Sequence, residues 1–528
     1  MSNLNPNDGV ANLDKAGLSE LSLSALLSRA AERWPDARAL IGEGRTWTWS
    51  ELNEEVDRVA CLYEACGIRP GDPVGFLLVK RPEVVIGFLA CARMGAIQVP
   101  VNFRLHPDQV SDQFTTAGIR AVVTEVQHDP LLKHLLPLLV DPRQVIYVDA
   151  PARHGETSWS DAQRFAGRRS TFEPTADTVC YYNYTSGSTG RPKGASTTSR
   201  NIVVNAVATS IGLGFGPEDV YMGMFSVFAH PHELFHRSIL YGGAFVVVDS
   251  LNPRMVADAI NAHGITWMMA VPSFYEMLLD YLEGSEVQLP SLRVLEAGGA
   301  YVSPEMHSRM EYRFKARFLP VWGCTEATGV GLGMLADAEF RPGSTGKPIP
   351  TYDIRIVDES GADVEPGLPG ELWIRGPAVI SQYVNMPAET ASQIHDGWYA
   401  TADLVRQDQD GFVYFTGRRS EMLKIGGIRV FPLEIEQVIQ QHPEVRDIVV
   451  VRAEERLRGE VARAIVTTRP GSTLTVRKVQ AYCRDRMALY KVPRIVEFWS
   501  EIPKLPNGKI DKKGVLAQPV NPDRDDRR

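Results

Sequence analysis

The chain of 528 residues has no C-x-x-C cysteine pair. Its six cysteines, Cys61, Cys66, Cys91, Cys180, Cys324 and Cys483, are scattered. That excludes a zinc ribbon and a disulfide-stapled scaffold, and suits a reducing compartment. No apolar run approaches the ~18 residues of a membrane-spanning helix. The first stretch, MSNLNPNDGVANLDKAG, lacks an apolar signal core. Positive charge is not in excess either. Lys and Arg number 56 against 64 Asp and Glu, a formal net charge of −8, so nothing drives the chain generally toward nucleic acid or an anionic surface. The expectation is a cytoplasmic protein with no nucleic-acid partner and no stable membrane insertion. What the chain does have is core material: 44% hydrophobic residues, over a length that supports more than one domain.

Helical and strand patterns alternate through the first four hundred residues. SELNEEVDRVACLYEA (Ser50–Ala65) places apolar residues at helical spacing behind a Ser N-cap. VGFLLV (Val74–Val79) and IQVPVN (Ile97–Asn102) read as buried strands around a buried helix, EVVIGFLACARM (Glu83–Met94). RAVVTE, FVVVDS, ITWMMAV and LRVLEAG continue the strands, so the expectation is α/β with largely parallel sheets. After about Gly343 short strands and Gly/Pro turns dominate. From Glu421 a compact βα pattern runs to about Leu516. The charged tail NPDRDDRR has the composition of a disordered segment. The expected boundary lies near Gly417–Ser420.

YTSGSTGRPKG (Tyr184–Gly194) has the composition of a linker, yet it follows an apolar run, TVCYYNY, that reads as a strand. A phosphate cradle needs backbone N–H groups pointing inward, which glycine permits, and hydroxyls that add donors. Three glycines alternate here with Thr185, Ser186, Ser188 and Thr189, and Arg191 and Lys193 flank Pro192. Ligands in α/β proteins bind at strand ends. It is not a Walker A loop, which needs Gly before Lys and a hydroxyl after it.

The stretch T-S-G-S-T-G-R-P-K-G resembles the signature loop of the adenylate-forming superfamily of acyl-CoA synthetases, luciferases and nonribosomal adenylation domains. Further motifs follow in that family's order: EAGGAYVSPE (Glu296–Glu305), WGCTEATG (Trp322–Gly329), DGWYATADL (Asp396–Leu404), TGRRSEMLKIGGIRVFPLEIE (Thr416–Glu436) and PKLPNGKIDKK (Pro503–Lys513). The resemblance covers nearly the whole chain, from Trp47 to Lys513.

It implies a large N-terminal domain (1–417) of stacked αβ subdomains plus a β-rich subdomain. A hinge (418–420), a small mobile α+β domain (421–520) and a charged tail (521–528) follow. It also implies residue roles. Thr185, Ser186, Gly187, Ser188, Thr189, Gly190 and Lys193 would fold over the β- and γ-phosphates of ATP. Ala297, Gly298, Gly299, Trp322 and Gly323 would surround the adenine, with Trp322 in place of the usual Tyr. Thr325 would contact the α-phosphate, and Glu326 with Thr185 would hold Mg²⁺, which prefers oxygen ligands. Asp403 and Arg418 would take the ribose, with Ala402 where a Gly is usual. Lys509 would be the adenylation lysine. Gly426 and Gly427 would border the tunnel for the CoA thiol, and Ser420 would be the hinge in place of Asp or Lys.

The implied reaction is ATP-dependent ligation of a carboxylic acid to CoA. The carboxylate attacks the α-phosphate and releases pyrophosphate, and the thiol then displaces AMP from the acyl-adenylate. Mg²⁺, Lys193 and Lys509 would offset the repulsion of two anions. A carrier-protein thiol or an amine would use the same first step. The acyl pocket is expected to include Phe228, His230, His232, Ala300, Val321 and Gly329. The run Gly323, Gly329, Gly331 and Gly333 suggests room for an aromatic or medium-chain acid. A homodimer is a family-level expectation.

A competing signal lies in AHPHELFHRS (Ala229–Ser238). His232-Glu233-Leu234-Phe235-His236 is formally H-E-x-x-H. On a helix its two histidines share a face and could bind Zn²⁺, with Glu233 as base. A zinc metallohydrolase is therefore the rival class, although no third ligand motif accompanies it. The plainer expectation is that some of these histidines line the acyl pocket and others face solvent.

Overall fold

The computed structural model describes residues 17, 20–139, 144–151, 155–185, 192–283, 285–425, 428–455, 459–504, 510–521 and 524–526. The long helix near the N-terminus runs Trp49–Ala65. It is capped by Thr48 rather than Ser50, because Thr48 and Glu51 satisfy each other's backbone N–H groups in a capping box. Its apolar stripe of Leu52, Val56, Val59 and Tyr63 is buried.

The helix Pro82–Met94 connects parallel strands Pro73–Leu77 and Ile97–Pro100. It is apolar nearly all round, and nearly all of it is buried. Gly95 ends it with φ +77°, where a Cβ would lie 2.4 Å from the Phe172 ring.

Contact density divides the chain into two compact units: Met1–Arg341, Thr345–Ile354 and Ile374–Tyr399, and Pro342–Ser344, Arg355–Trp373 and Ala400–Arg528. The first holds two sheets. One has seven strands in the order Thr157–Ser158, Val145–Tyr147, Ala121–Thr124, Pro73–Leu77, Ile97–Pro100, Val179–Thr185, Lys193–Thr198. All its pairings are parallel except the last. The other has nine strands, in the order Lys347–Pro348, Gly329–Gly333, Arg317–Cys324, Val294–Ala297, Trp267–Ala270, Tyr221–Gly223, Phe245–Val246, Arg38–Gly42, Arg45–Thr48. Its middle is parallel and its margins antiparallel. Parallel strands buried on both faces explain the continuous apolar runs in the sequence.

In the second unit Asp403 to Gln407 pairs antiparallel with Val413 to Arg418. A three-stranded sheet, Val445–Glu455, Gly459–Thr468 and Ile495–Phe498, packs with helices Pro432–Gln440 and Val476–Arg484 around Ile435, Ile439, Val450, Val466 and Phe498. This is the expected α+β arrangement. Residues 400–417 pack with this unit.

Candidate active site

The two strands flanking the glycine-rich loop pair antiparallel, with Thr185 opposite Lys193 and Tyr184 opposite Gly194. Gly194 has a local reason: a Cβ there would lie 2.9 Å from the Tyr184 ring. Ser186, Gly187, Ser188, Thr189 and Gly190 lie outside the described residues, as do Gly426, Gly427 and Lys509. Lys193 opens its strand, is only 4% exposed, and its Nζ stands 5.5 Å from the centroid of the Tyr383 ring. Removal of a cation from water at that depth needs an anionic or aromatic partner.

The strand Arg317–Cys324 shifts register between Trp322 and Gly323. It then enters a single 3-10 turn, Thr325–Ala327, closed by Thr328 at φ +55° and Gly329 at φ +104°. The irregularity redirects the chain so that Thr325 is half-buried and Glu326 buried. One segment clamps this turn. Ile380 N donates to Glu326 O at 2.9 Å, Thr328 Oγ1 donates to Ala378 O at 2.6 Å, and Tyr383 Oη donates to Glu326 Oε1 at 2.6 Å. The same segment reaches the phosphate strand, since Val384 N donates to Gly194 O at 2.8 Å and Ser196 N to Gln382 O at 3.2 Å. Tyr383 therefore ties Lys193 to Glu326, a connection sequence reasoning missed. Burial and the neighbouring Glu326 carboxylate hold its hydroxyl above the ordinary phenol range, as a donor. Glu326 has no ion-pair partner among the described residues, so a buried carboxylate remains open to a hard cation. That donor set fits Mg²⁺.

Ala297 ends the parallel strand Val294–Ala297, opposite Pro320 of the neighbouring strand. Gly298 follows, and a Cβ on it would stand 3.1 Å from Val321; Gly299 turns with φ +83°. Ala300 is exposed, whereas Val321 and Trp322 are buried. In the second unit the buried Asp403 carboxylate forms an ion pair with the exposed Arg418, Oδ1 to Nε 2.9 Å. Ala402 adopts φ +60°, so the turn keeps the shape a glycine would give. Ser420 lies in the short turn Arg419–Glu421, and its carbonyl accepts from Arg452 Nη2 at 2.7 Å.

Two expectations about the acyl region are corrected. Gly323, Gly331 and Gly333 do not leave room. A Cβ on Gly323 would lie 2.4 Å from Gly329 O, one on Gly331 2.8 Å from Ile374, and one on Gly333 2.8 Å from Leu213. They permit close packing. The histidines also do not divide between pocket and solvent: His232 and His236 are buried and His230 half-buried. Pro231 starts a 3-10 turn that ends at Leu234, and Phe235 leaves helical geometry, so His232 and His236 are not on successive turns of an α-helix.

His230, His232 and Glu233 bring potential ligand atoms within 4.8 Å of one another. His232 is nonetheless committed elsewhere. Its Nε2 is 3.3 Å from Thr328 O and must donate there, so Nδ1 accepts from Tyr181 Oη at 2.8 Å. No lone pair remains for a cation, and the cluster does not fit zinc. Burial pushes His232 and His236 well below the ordinary imidazole range. Phe228 is half-buried and packs edge-on to Phe103, centroids 4.9 Å apart, with His128 4.2 Å beyond.

A buried lysine and a buried carboxylate on one clamp, with a glycine turn at the end of a parallel strand, form a site able to hold an anionic ligand and a hard cation. A family model described as AMP-binding enzyme matches residues 27–384, and one described as AMP-binding enzyme C-terminal domain matches 434–509. The chain is 32% identical over 497 residues to a feruloyl-CoA synthase of Amycolatopsis sp, covering 92% of this chain and 97% of that one. It is 31% identical over 506 residues to an indoleacetate–CoA ligase of Aromatoleum aromaticum, covering 94% and 98%. An anthranilate CoA ligase solved with anthranoyl-AMP superposes with TM-score 0.87 at 25% identity, covering 94% and 97%. The chain belongs to the AMP-binding enzyme family, the adenylate-forming superfamily, and is an AMP-forming acid–CoA ligase. No helix among the described residues is long and apolar enough to cross a membrane.

Proposed function

We propose that this ligase activates an aromatic carboxylic acid. The observation that carries the reading is the edge-on pair of Phe228 and Phe103 backed by His128, an apolar wall with ring faces for a planar guest. The names of similar proteins, feruloyl, indoleacetate and anthranilate, agree with it.

In the first half-reaction a carboxylate oxygen attacks the α-phosphorus, the bond to the β-phosphate oxygen breaks, and pyrophosphate leaves with its electron pair. Mg²⁺, which supplies charge neutralisation when bound, would be held by Glu326 with Thr185. Lys193 offsets phosphate charge from a desolvated position, where electrostatic stabilisation is strongest. Tyr383 holds the Glu326 carboxylate in one orientation. Thr325 contacts the α-phosphate, Ala297, Gly298 and Gly299 face the adenine with Trp322 and Gly323, and Asp403 and Arg418 take the ribose hydroxyls.

In the second half-reaction the CoA sulfur attacks the acyl carbon, the thiol loses its proton, and AMP leaves. The small domain turns about Ser420 between the two steps, exchanging Lys509 for the tunnel bordered by Gly426 and Gly427. The enzyme works in the cytoplasm as a homodimer. The test is acid-dependent release of pyrophosphate across aryl, short, medium and long acids, with and without CoA. Release confined to aryl acids, and acyl-CoA formed only with CoA, is expected. A preference for aliphatic acids overturns the aromatic assignment.

A further inference from the structure

The turn Pro231–Leu234 buries Glu233 to 3% exposure. Its obvious cation is already taken. Arg237 Nη1 and Nη2 donate to Glu296 at 2.6 and 3.0 Å, and Nε donates to Thr209 Oγ1 at 3.1 Å. No described residue donates a hydrogen bond to the Glu233 carboxyl. That carboxyl faces Gly329: Oε1 lies 2.2 Å from the point a Cβ on Gly329 would occupy. Asn205 Oδ1 lies 3.6 Å from the same point, is buried, and has no partner. The Asn205 amide is fixed in that orientation, because its Nδ2 donates to Val330 O at 3.0 Å and to Tyr352 Oη at 2.8 Å. Nearby, the ring of the buried His236 has no side-chain hydrogen-bond partner. Buried polar groups are normally paired, and several unpaired ones together mark a place where something else completes the bonding.

We propose that Glu233 and Asn205 form the polar end of the acyl site, and that they select carboxylic acids bearing a hydrogen-bond donor, a hydroxyl or amino group, on the ring remote from the carboxylate. The inference rests on the aromatic-acid reading of the same pocket. Position supports it. Phe228 and His230 precede Glu233 on one continuous segment, and Gly329 directly follows the Glu326 turn. Burial lifts the Glu233 carboxyl to about 8, Arg237 opposing and Glu296 adding to the rise, so near neutral pH it is largely an acid. It can then both donate and accept, while Asn205 Oδ1 only accepts. A guest with an O–H or N–H satisfies an acceptor that a methyl group or hydrogen leaves dry. Sites that hydrogen-bond a substrate donor reject analogues lacking it far more strongly than apolar pockets reject a missing methylene.

The test compares kcat/KM for acid-dependent pyrophosphate release between matched benzoates and cinnamates. At each ring position these carry hydroxyl, amino, methyl or hydrogen. At one position the wild type is expected to favour the donor-bearing acid over its methyl isostere by roughly 10–100-fold. E233Q, which still donates and accepts, should retain most of that ratio. E233L should bring it toward unity, and E233M serves if the leucine variant is insoluble. A purely structural Glu233 would lower all rates together and leave the ratio unchanged. Wild-type turnover of aryl acids with equal rates for hydroxyl and methyl partners overturns the inference, and so does an E233L or E233M ratio equal to that of the wild type. Both outcomes leave the aromatic-acid reading standing. Failure of every aryl acid while aliphatic acids react overturns that reading first, and this inference with it.

Discussion

Ala402 holds φ +60° directly before Asp403, a conformation that brings an L-residue's Cβ close to its own carbonyl and costs roughly 1–2 kcal/mol. The turn persists because neighbours fix it. Ala402 N donates to Glu371 Oε1 at 2.9 Å, and Glu371 Oε2 accepts from Arg419 Nη1 at 2.8 Å. Glycine would remove the strain but add freedom to the unfolded chain. The balance favours A402G by about 0.5–1 kcal/mol, readable as a higher denaturant midpoint. A lower midpoint would mean that the methyl group packs favourably despite the strain. Glu233 allows a second prediction at this scale. Its carboxyl is raised from 4.5 to about 8, chiefly by burial. Between those values the folded chain keeps a proton the unfolded chain has lost, so stability falls as pH rises through that window. Gln does not titrate. The thermal midpoint of E233Q relative to wild type should therefore climb from pH 5 to pH 8 and then level off, with a full effect on the order of a few kcal/mol. A difference independent of pH would show that Glu233 is ionised in the fold.

At the scale of elements, the segment 377–384 makes one unit of two motifs far apart in the chain. Asn201 Nδ2 also donates to Pro377 O at 2.8 Å, so the helix Ser199–Leu213 holds the segment from a third side. Y383F keeps the ring beside Lys193 but releases the Glu326 carboxylate. A roughly ten-fold loss of adenylation is expected, on the scale of one hydrogen bond to a charged group. The apparent KM for MgATP should rise, and thioester formation from supplied acyl-AMP should persist. An unchanged KM for MgATP would remove Tyr383 from metal positioning. The connection explains what the sequence could and could not disclose. The loop before Lys193, the T-E pair and the D-L strand are contiguous, so their chemistry is visible in order. Tyr383 acts on Glu326 from 57 positions away, and Tyr181 on His232 from 51; no local pattern carries either bond. H-E-x-x-H misleads for a related reason. Its spacing implies a shared face only on an α-helix, and Pro231 opens a 3-10 turn instead. The glycine run misleads too, since small residues allow close packing as readily as open space.

At the scale of the whole molecule, the reaction has two steps that need different surroundings at the acyl carbon. Adenylation needs positive charge against a pentacoordinate phosphate. Thioester formation needs an open path for a long thiol and no competing water. Glu326 is held by the Tyr383 hydroxyl, and Lys193 lies in a paired strand beside the Tyr383 ring, all within the first unit. Lys509 and the Gly426-Gly427 pair belong to the second unit in sequence, and alternation between them would let one nucleotide site serve both steps. The prediction is a separation of half-reactions by single substitutions. K509A should reduce adenylation by roughly 10²–10³, the scale of one lost transition-state contact, while acyl-CoA still forms from supplied acyl-AMP. G427W should do the reverse: pyrophosphate release continues, and CoA turnover stops because the indole fills the thiol's path. Single-turnover measurement of each half-reaction in both variants distinguishes this from a fixed arrangement. In a fixed site each substitution would slow both steps together, because the same side chains would surround the acyl carbon throughout.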